Sequence, residues 1–198
     1  MALIAHTTVV KRVINGGEIK LGDTTLDIQG NDKQGCFVEI LERTKSQLDA
    51  MLSYHSKIMV VRLDLRMYEY HPNNELISRY IRKVRKKLVA KYGFNRVGFI
   101  WAREQEKAIH QHYHFAVFVD ANKVRFPKNI VDICSRIWSD WEQSPYTPKN
   151  CYYIVRRGRH DDYQKVFYRL SYLSKVRGKG HKSKSANDYS TSRIRLKI

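Results

Sequence analysis

The chain has 198 residues, of which 42% are hydrophobic and 12% aromatic, so it can bury a core and wholesale disorder is excluded. Its 37 Lys and Arg residues against 19 Asp and Glu give a formal charge of +18, which favours a polyanionic partner, nucleic acid before a membrane. Three scattered cysteines, no secretory leader and no apolar run of about 18 residues lead us to expect a soluble cytoplasmic protein.

The N-terminal quarter of the chain is predicted to be an extension of the core. Residues 1–33 are rich in Gly, Asn, Asp and Thr and contain the β-like runs HTTVV and TTLDI, which indicate an extension or a small hairpin. Apolar residues at helical spacing predict a helix over about 36–56, and KIMVVRLDLRMY predicts a central strand over 57–68. We therefore divide the chain into an extension (1–56), a core (57–176) and a basic tail (177–198).

Strands and helices alternate through the predicted core. An amphipathic helix over 74–91 ends at Gly93, a typical C-cap. The later elements are predicted as strands at 95–103 and 112–120, a helix at 126–143 with Pro127 in its first turn, a strand at 150–157 and a helix at 161–176. Two adjacent strands joined by a polar loop favour an antiparallel pair. The predicted fold class is therefore α+β, a central antiparallel sheet flanked by helices.

Histidines open the third predicted core strand. His112 and His114 are two residues apart, so both side chains point to the same side of the sheet. If the strands before and after the loop form a hairpin, Glu104 returns close to His112. Two imidazoles and one carboxylate can hold a divalent cation with open positions. His110 is expected in the loop near this site, and the alternative is that all are ordinary polar residues at a strand end.

A second candidate feature lies on the last predicted helix, in YRLSYLSK. Tyr168, Tyr172 and Lys175 follow at i, i+4 and i+7, so they form one stripe of an α-helix. Tyrosine is a poor nucleophile at its ordinary pKa of about 10, but a neighbouring cation or a metal-bound phosphate makes it competent. The alternative is that the stripe packs into the core, as aromatic stripes commonly do.

Basic side chains with no nearby acids are the third feature. Between Glu75 and Glu104 the sequence has no acidic residue, and the tail is also basic. Such side chains are expected to hold a nucleic-acid backbone through its phosphates without reading bases, and the alternative is a solvated helix face. The predicted nucleic-acid-binding residues are Arg82, Lys83, Arg85, Lys86, Lys87, Arg96, Arg103, Arg177 and Lys179.

Together these motifs resemble the HUH endonucleases, the rolling-circle replication initiators and relaxases. The shared marks are HYH (112–114), an upstream acidic ligand at Glu104, YLSK (172–175) and the strand VVRLDL (60–65), over about residues 57–176. The inovirus-type replication proteins of filamentous phages and prophages are the most similar branch. Tyr113 departs mildly from the aliphatic residue usual between the two histidines.

The resemblance implies an RRM-like fold and a mechanism. Mg²⁺ or Mn²⁺ held by His112, His114 and Glu104 would polarise a scissile phosphate of single-stranded DNA at a replication origin. Tyr172 would attack it, leaving a 5′-phosphotyrosine and a free 3′-OH. Tyr168 would accept the second strand, and Lys175 would steady the charge or orient the phenol. Arg62 and Asp64 of the first core strand would line the site.

The resemblance also implies partners, and other functions remain open. The sequence lacks a Gly-x₄-Gly-Lys-Ser/Thr motif, so unwinding and extension are expected to need a host helicase and polymerase. One alternative is a non-catalytic basic nucleic-acid-binding protein, and another is an HUH transposase with the same residues. A zinc hydrolase is a third, although it leaves the tyrosine pair unexplained and no His-Glu-x-x-His helix is present.

Overall fold

A computed structural model describes residues 11–105 and 110–197, and it confirms the predicted α+β class. The strands are β1 (Val13–Ile14), β2 (Glu18–Leu21), β3 (Thr24–Asp27), β4 (Cys36–Phe37), β5 (Lys57–Arg66), β6 (Gly98–Glu104), β7 (His112–Asp120), β8 (Ser144–Tyr146), β9 (Tyr152–Arg156) and β10 (Tyr189–Thr191). The helices are α1 (Val38–Tyr54), α2 (Glu75–Tyr92), α3 (Pro127–Ser139) and α4 (His160–Ser171), and a 3₁₀ turn (Tyr172–Ser174) follows α4.

A six-stranded antiparallel sheet organises the fold. Its order is β10-β6-β7-β5-β8, and β9 pairs with another part of the same edge of β5. The longest pairing joins β5 to β7, from Ile58 opposite Asp120 to Arg66 opposite His112. β6 and β7 form the predicted hairpin, with Glu104 opposite His112. The hairpin therefore brings the predicted carboxylate to the predicted histidines.

The sheet is buried on both faces, because successive side chains of a strand point to opposite sides. In β5, Met59, Val61 and Leu63 belong to the hydrophobic cluster that α2 and α3 complete. Ile58 and Val60 belong to the second cluster, which α1 and α4 complete. This two-sided burial explains why the strand sequence is almost continuously apolar.

Several element ends agree with the sequence prediction, and two strands of the main sheet, β8 and β10, were not predicted. α2 ends at Gly93, whose φ of 61° is left-handed and whose N–H donates to the Val89 carbonyl, as a glycine C-cap requires. β8 and β10 have three residues each, and β8 contains Pro145, which suits only a strand edge. Such short segments carry no readable alternation of apolar and polar residues.

Packing contacts cross the predicted boundaries at residues 56 and 176, and the division of the chain into three parts stays a prediction. Leu26 and Ile28 from the predicted extension share one hydrophobic cluster with Phe167 of α4. The predicted tail supplies β10, which pairs with β6 in the main sheet. The TTLDI run supplies β3 of a small hairpin, whose other strand, β2, has the sequence EIKL and was not predicted. The HTTVV run lies outside the described residues. In the described part of the chain, no helix is long and apolar enough to cross a membrane.

We predict that Leu26→Ala lowers the free energy of unfolding by about 3 kcal/mol, because it leaves a cavity in the cluster under α1 and α4. Urea denaturation followed by circular dichroism measures the change. Leu196→Ala is the matched control, since Leu196 is 60% exposed and its truncation is expected to cost less than about 0.5 kcal/mol. Equal stabilities of the two variants would show that the hairpin is not part of the core.

Candidate metal centre

Two neighbouring strand ends bring three possible metal ligands together. Glu104 is the last residue of β6, and His112 is the first residue of β7. The β6–β7 register places Glu104 opposite His112 and Ala102 opposite His114. Ala102 is two residues before Glu104 and opposite His114, so its side chain points to the same side of the sheet as theirs. Because Ala102 belongs to the cluster under α1 and α4, the three possible ligands lie on that face.

The three side chains meet at one carboxylate oxygen. Oε2 of Glu104 lies 3.0 Å from Nε2 of His114 and 3.7 Å from Nε2 of His112. The ligand atoms of the three residues all lie within 4.8 Å of one another. Glu104 and His114 are buried, and His112 is half-buried, so the group opens to solvent on the His112 side. A carboxylate and two imidazoles in this arrangement can hold a metal ion. His110 is not a member of this group.

A second carboxylate orients His114 from the neighbouring strand. Asp64 of β5 lies opposite His114, and its Oδ1 is 2.6 Å from Nδ1 of the imidazole. Arg62 donates to the same oxygen atom over 3.2 Å. Nδ1 of His114 therefore donates its proton to Asp64, and Nε2 faces Glu104 and the other possible ligand. A histidine held by a carboxylate through its far nitrogen is a recurrent arrangement around metal ligands.

Lys179 contacts the other oxygen atom of Glu104 and does not lie on the predicted nucleic-acid-binding surface. Its Nζ donates to Oε1 of Glu104 over 2.6 Å and to the Lys175 carbonyl over 2.7 Å. The side chain is fully buried, so it cannot contact DNA phosphates as predicted. A buried carboxylate requires a countercharge, and this basic residue supplies it. The nearby Gly178, at a φ of 76°, lets the backbone pass against the Glu104 side chain.

The ionisation of the ligand group reflects these contacts. Burial raises the pKa of Glu104, but its contacts with both imidazoles and the charge of Lys179 outweigh burial and hold the pKa well below its usual range. Burial lowers the pKa of His114, and its hydrogen bonds to Asp64 and Glu104 more than offset that effect, so the pKa is raised. The carboxylate is thus ionised, as a metal ligand must be.

Tyr172 lies directly beside the ligand group. Its ring centroid is 4.9 Å from that of His114, with the two rings nearly perpendicular. The Arg62 guanidinium lies 4.6 Å from the tyrosine ring centroid and the Lys175 Nζ lies 4.9 Å from it. Burial and the charge of Glu104 raise the pKa of the Tyr172 phenol, and the charge of Arg62 opposes them. The phenol therefore needs further positive charge before it ionises readily.

The predicted helical stripe ends one turn early. α4 stops at Ser171, and Tyr172 begins a 3₁₀ turn, so Lys175 lies beyond the helix. The hydroxyls of Ser171 and Ser174 donate to the carbonyls of Tyr168 and Ser171, and thereby compete with the helical hydrogen bonds. Tyr168 is 47% exposed, and no hydrogen bond or ring contact joins its side chain to the ligand group in the described structure.

The predicted nucleic-acid-binding residues occupy several different places. Arg103 is 2% exposed and donates to the carbonyls of His71 and Asn73, so it cannot contact DNA as predicted. Arg96 covers the ring of Tyr54 at 3.5 Å, and Arg177 is exposed near the site, where its charge lowers the pKa of Tyr172. The remaining five lie on α2, which packs on the sheet face opposite the histidines: Arg82, Lys83, Arg85, Lys86 and Lys87.

Sequence comparison places the chain in a family. The model of the YagK/YfjJ C-terminal domain matches residues 25–188, so the chain belongs to the YagK/YfjJ C-terminal domain family. The matched range includes the ligand group, Asp64, Tyr172 and Lys179. Neither a curated protein nor a solved structure gives a match.

We predict that Lys179→Met lowers the free energy of unfolding by about 3 kcal/mol, because it leaves the buried Glu104 carboxylate without its countercharge. Saturating Mn²⁺ should raise the melting temperature of this variant more than that of the unchanged protein, since the ion supplies the missing positive charge. Lys87→Met, on the exposed face of α2, is the control and should match the unchanged protein. An equal Mn²⁺ effect on all three proteins would contradict the assigned role of Lys179.

We also predict that Asp64→Asn weakens Mn²⁺ binding by about 10- to 100-fold, because the amide no longer fixes the tautomer and orientation of His114. Isothermal titration calorimetry measures the affinity. Asp132→Asn removes a carboxylate paired with Lys128 on the opposite face and should leave the affinity unchanged. Unchanged affinity in Asp64→Asn would remove Asp64 from the site.

Proposed function

We propose that the chain is a metal-dependent HUH-type endonuclease, which nicks and rejoins single-stranded DNA through a 5′-phosphotyrosine intermediate. The observation that carries the proposal is the ring contact between Tyr172 and His114. It combines a possible nucleophile with a group that can hold a divalent cation, in a protein of strong positive charge. We further propose that the reaction starts rolling-circle replication of a phage, prophage or plasmid.

The residues divide into those that hold an ion and those that act on DNA. Glu104, His112 and His114 would hold Mg²⁺ or Mn²⁺, and the donor set fits because it joins a carboxylate to two imidazoles. When bound, the ion supplies positive charge that polarises a phosphate and favours the ionised phenol. Asp64 keeps Nε2 of His114 directed inward, and Lys179 keeps Glu104 in place.

Tyr172 performs the chemical step in this proposal. Its oxygen atom attacks the phosphorus, a phosphorus–oxygen bond to Tyr172 forms, and the bond to the 3′ oxygen breaks. The phenol releases its proton and the departing 3′ oxygen takes one up, so the exchange is neutral. Arg62 and Lys175 lie against the tyrosine ring and would balance charge on the phosphate. Because the phosphodiester energy stays in the adduct, rejoining needs no ATP.

Tyr168 would serve as the second acceptor. It lies one helical turn before Tyr172, a spacing of about 5–6 Å between Cβ atoms, and its ring is accessible to solvent. A second tyrosine at this distance would receive the strand when replication ends. In this proposal a host helicase and polymerase provide unwinding and extension.

The test uses 5′- and 3′-labelled single-stranded DNA from the replicon that encodes the protein. We predict that Mn²⁺ produces a protein–DNA band that resists detergent and boiling, and that Tyr172→Phe abolishes it, because this change removes the attacking oxygen and keeps the ring. Tyr168→Phe is the matched control and should retain the first cleavage. His114→Ala should lose the band at every metal concentration.

Each alternative function gives a different result in this assay. A normal band in Tyr172→Phe that disappears in Tyr168→Phe would move the nucleophile to Tyr168. Salt-sensitive binding without any covalent band would indicate a non-catalytic nucleic-acid-binding protein. Metal-dependent hydrolysis without an adduct would indicate a hydrolase, and preferential joining of transposon ends would indicate a transposase.

A further inference from the structure

We propose that single-stranded DNA follows a basic groove between α1 and the C-terminal strand segment, and not the basic face of α2. This inference rests on the proposed function and concerns the path of the strand on either side of the scissile phosphate. The groove has a volume of about 830 Å³. Residues 43–47 of α1 form one wall, and residues 187–196, including β10, form the other.

The groove carries positive charge that nearby acids do not neutralise. Its basic lining residues are Lys11, Arg43, Lys182, Arg193 and Arg195. Lys11 pairs with Asp188, the acidic residue of the lining, and Arg12 pairs with both Glu39 and Glu42 at the neighbouring end of α1. In the described structure, no carboxylate is within ion-pair distance of Arg193, Arg195 or Lys182. A groove lined by unpaired cations is typical of a phosphate-backbone contact.

The groove begins next to the candidate metal centre. In the β10–β6 register, Tyr189 lies opposite Ala102, which is two residues, or about 7 Å, from Glu104. The Gly180 N–H donates to Oδ1 of Asp188 over 3.1 Å, and Gly180 directly follows Lys179. The backbone that holds Glu104 therefore continues into the groove wall. A strand with one phosphate at Tyr172 would reach the groove without crossing the sheet.

The basic surface of α2 lies on the other side of the sheet from the candidate metal centre. Its basic residues lie on a helix that packs against the sheet face carrying Trp101 and Tyr113, away from His112 and His114. Lys83, one of these bases, is directed at Asp140 and the Trp141 ring. A strand bound there would have to pass around the sheet to reach Tyr172, so the groove on the catalytic face offers the shorter path.

Matched charge reversals test the inference on the full chain. One variant carries Arg43→Glu, Arg193→Glu and Arg195→Glu, and the other carries Arg82→Glu, Arg85→Glu and Lys86→Glu, so both change the net charge equally. Fluorescence anisotropy with a short labelled single-stranded oligonucleotide in EDTA measures binding without metal or chemistry. We expect the groove variant to bind at least tenfold more weakly than the α2 variant. For the groove variant, the slope of log affinity against log salt concentration should become less steep by about 0.7 for each lost phosphate contact.

The outcomes separate this inference from the proposed function. Equal losses of DNA affinity in the two variants, or a larger loss in the α2 variant, would overturn the groove path even if the covalent adduct forms normally. Selective loss in the groove variant supports the path even if no adduct is ever found. Melting curves check that both variants fold. Ultraviolet cross-linking of bromodeoxyuridine DNA to the unchanged protein gives the same decision without variants: adducts on residues 182–195 support the groove, and adducts confined to α2 overturn it.

Discussion

The buried carboxylate of Glu104 is the constraint on which the rest of the structure depends. Its two oxygen atoms face different partners, with Lys179 on Oε1 and the two imidazoles on Oε2. An unpaired carboxylate at this depth would be strongly destabilising, so each partner stabilises this end of the sheet. The same charge balance leaves one oxygen atom directed at both histidines. Stability and metal binding thus require the same set of side chains.

This requirement ties distant parts of the chain to one point. Lys179 reaches Glu104 only because the segment after the 3₁₀ turn passes the end of β6, where the Gln105 N–H donates to the Gly178 carbonyl. The segment then continues into β10, which pairs with β6 as well. Tyr172 precedes it and lies against Arg62, whose guanidinium also donates to Asp64. The position of the tyrosine is therefore coupled to the orientation of His114 and not only to the end of α4.

Much of the fold and the ligand group could be predicted from the sequence, because the responsible signals are local. The apolar run that follows the histidines predicted β7, and a polar loop between two apolar strands was enough to place Glu104 opposite His112. The role of Lys179 could not be predicted, since a lysine in a run of basic residues has the same local pattern whether it is buried or solvated. Arg103 was misassigned for the same reason. It is two residues after Trp101 in β6, and this spacing could have placed it on the sheet face opposite the histidines. β10 was missed because three residues carry no periodicity.

The most direct measurement is the identity of the tyrosine that carries DNA. Trypsin cuts after Lys165, Arg169 and Lys175, so Tyr168 and Tyr172 fall in separate peptides, 166–169 and 170–175. The unchanged protein would be incubated with single-stranded origin DNA and Mn²⁺, treated with nuclease and trypsin, and analysed by tandem mass spectrometry. A residual nucleotide mass on peptide 170–175 is the expected result of a first cleavage by Tyr172. Its absence from both peptides, with cleaved DNA present, would contradict a phosphotyrosine mechanism at this site.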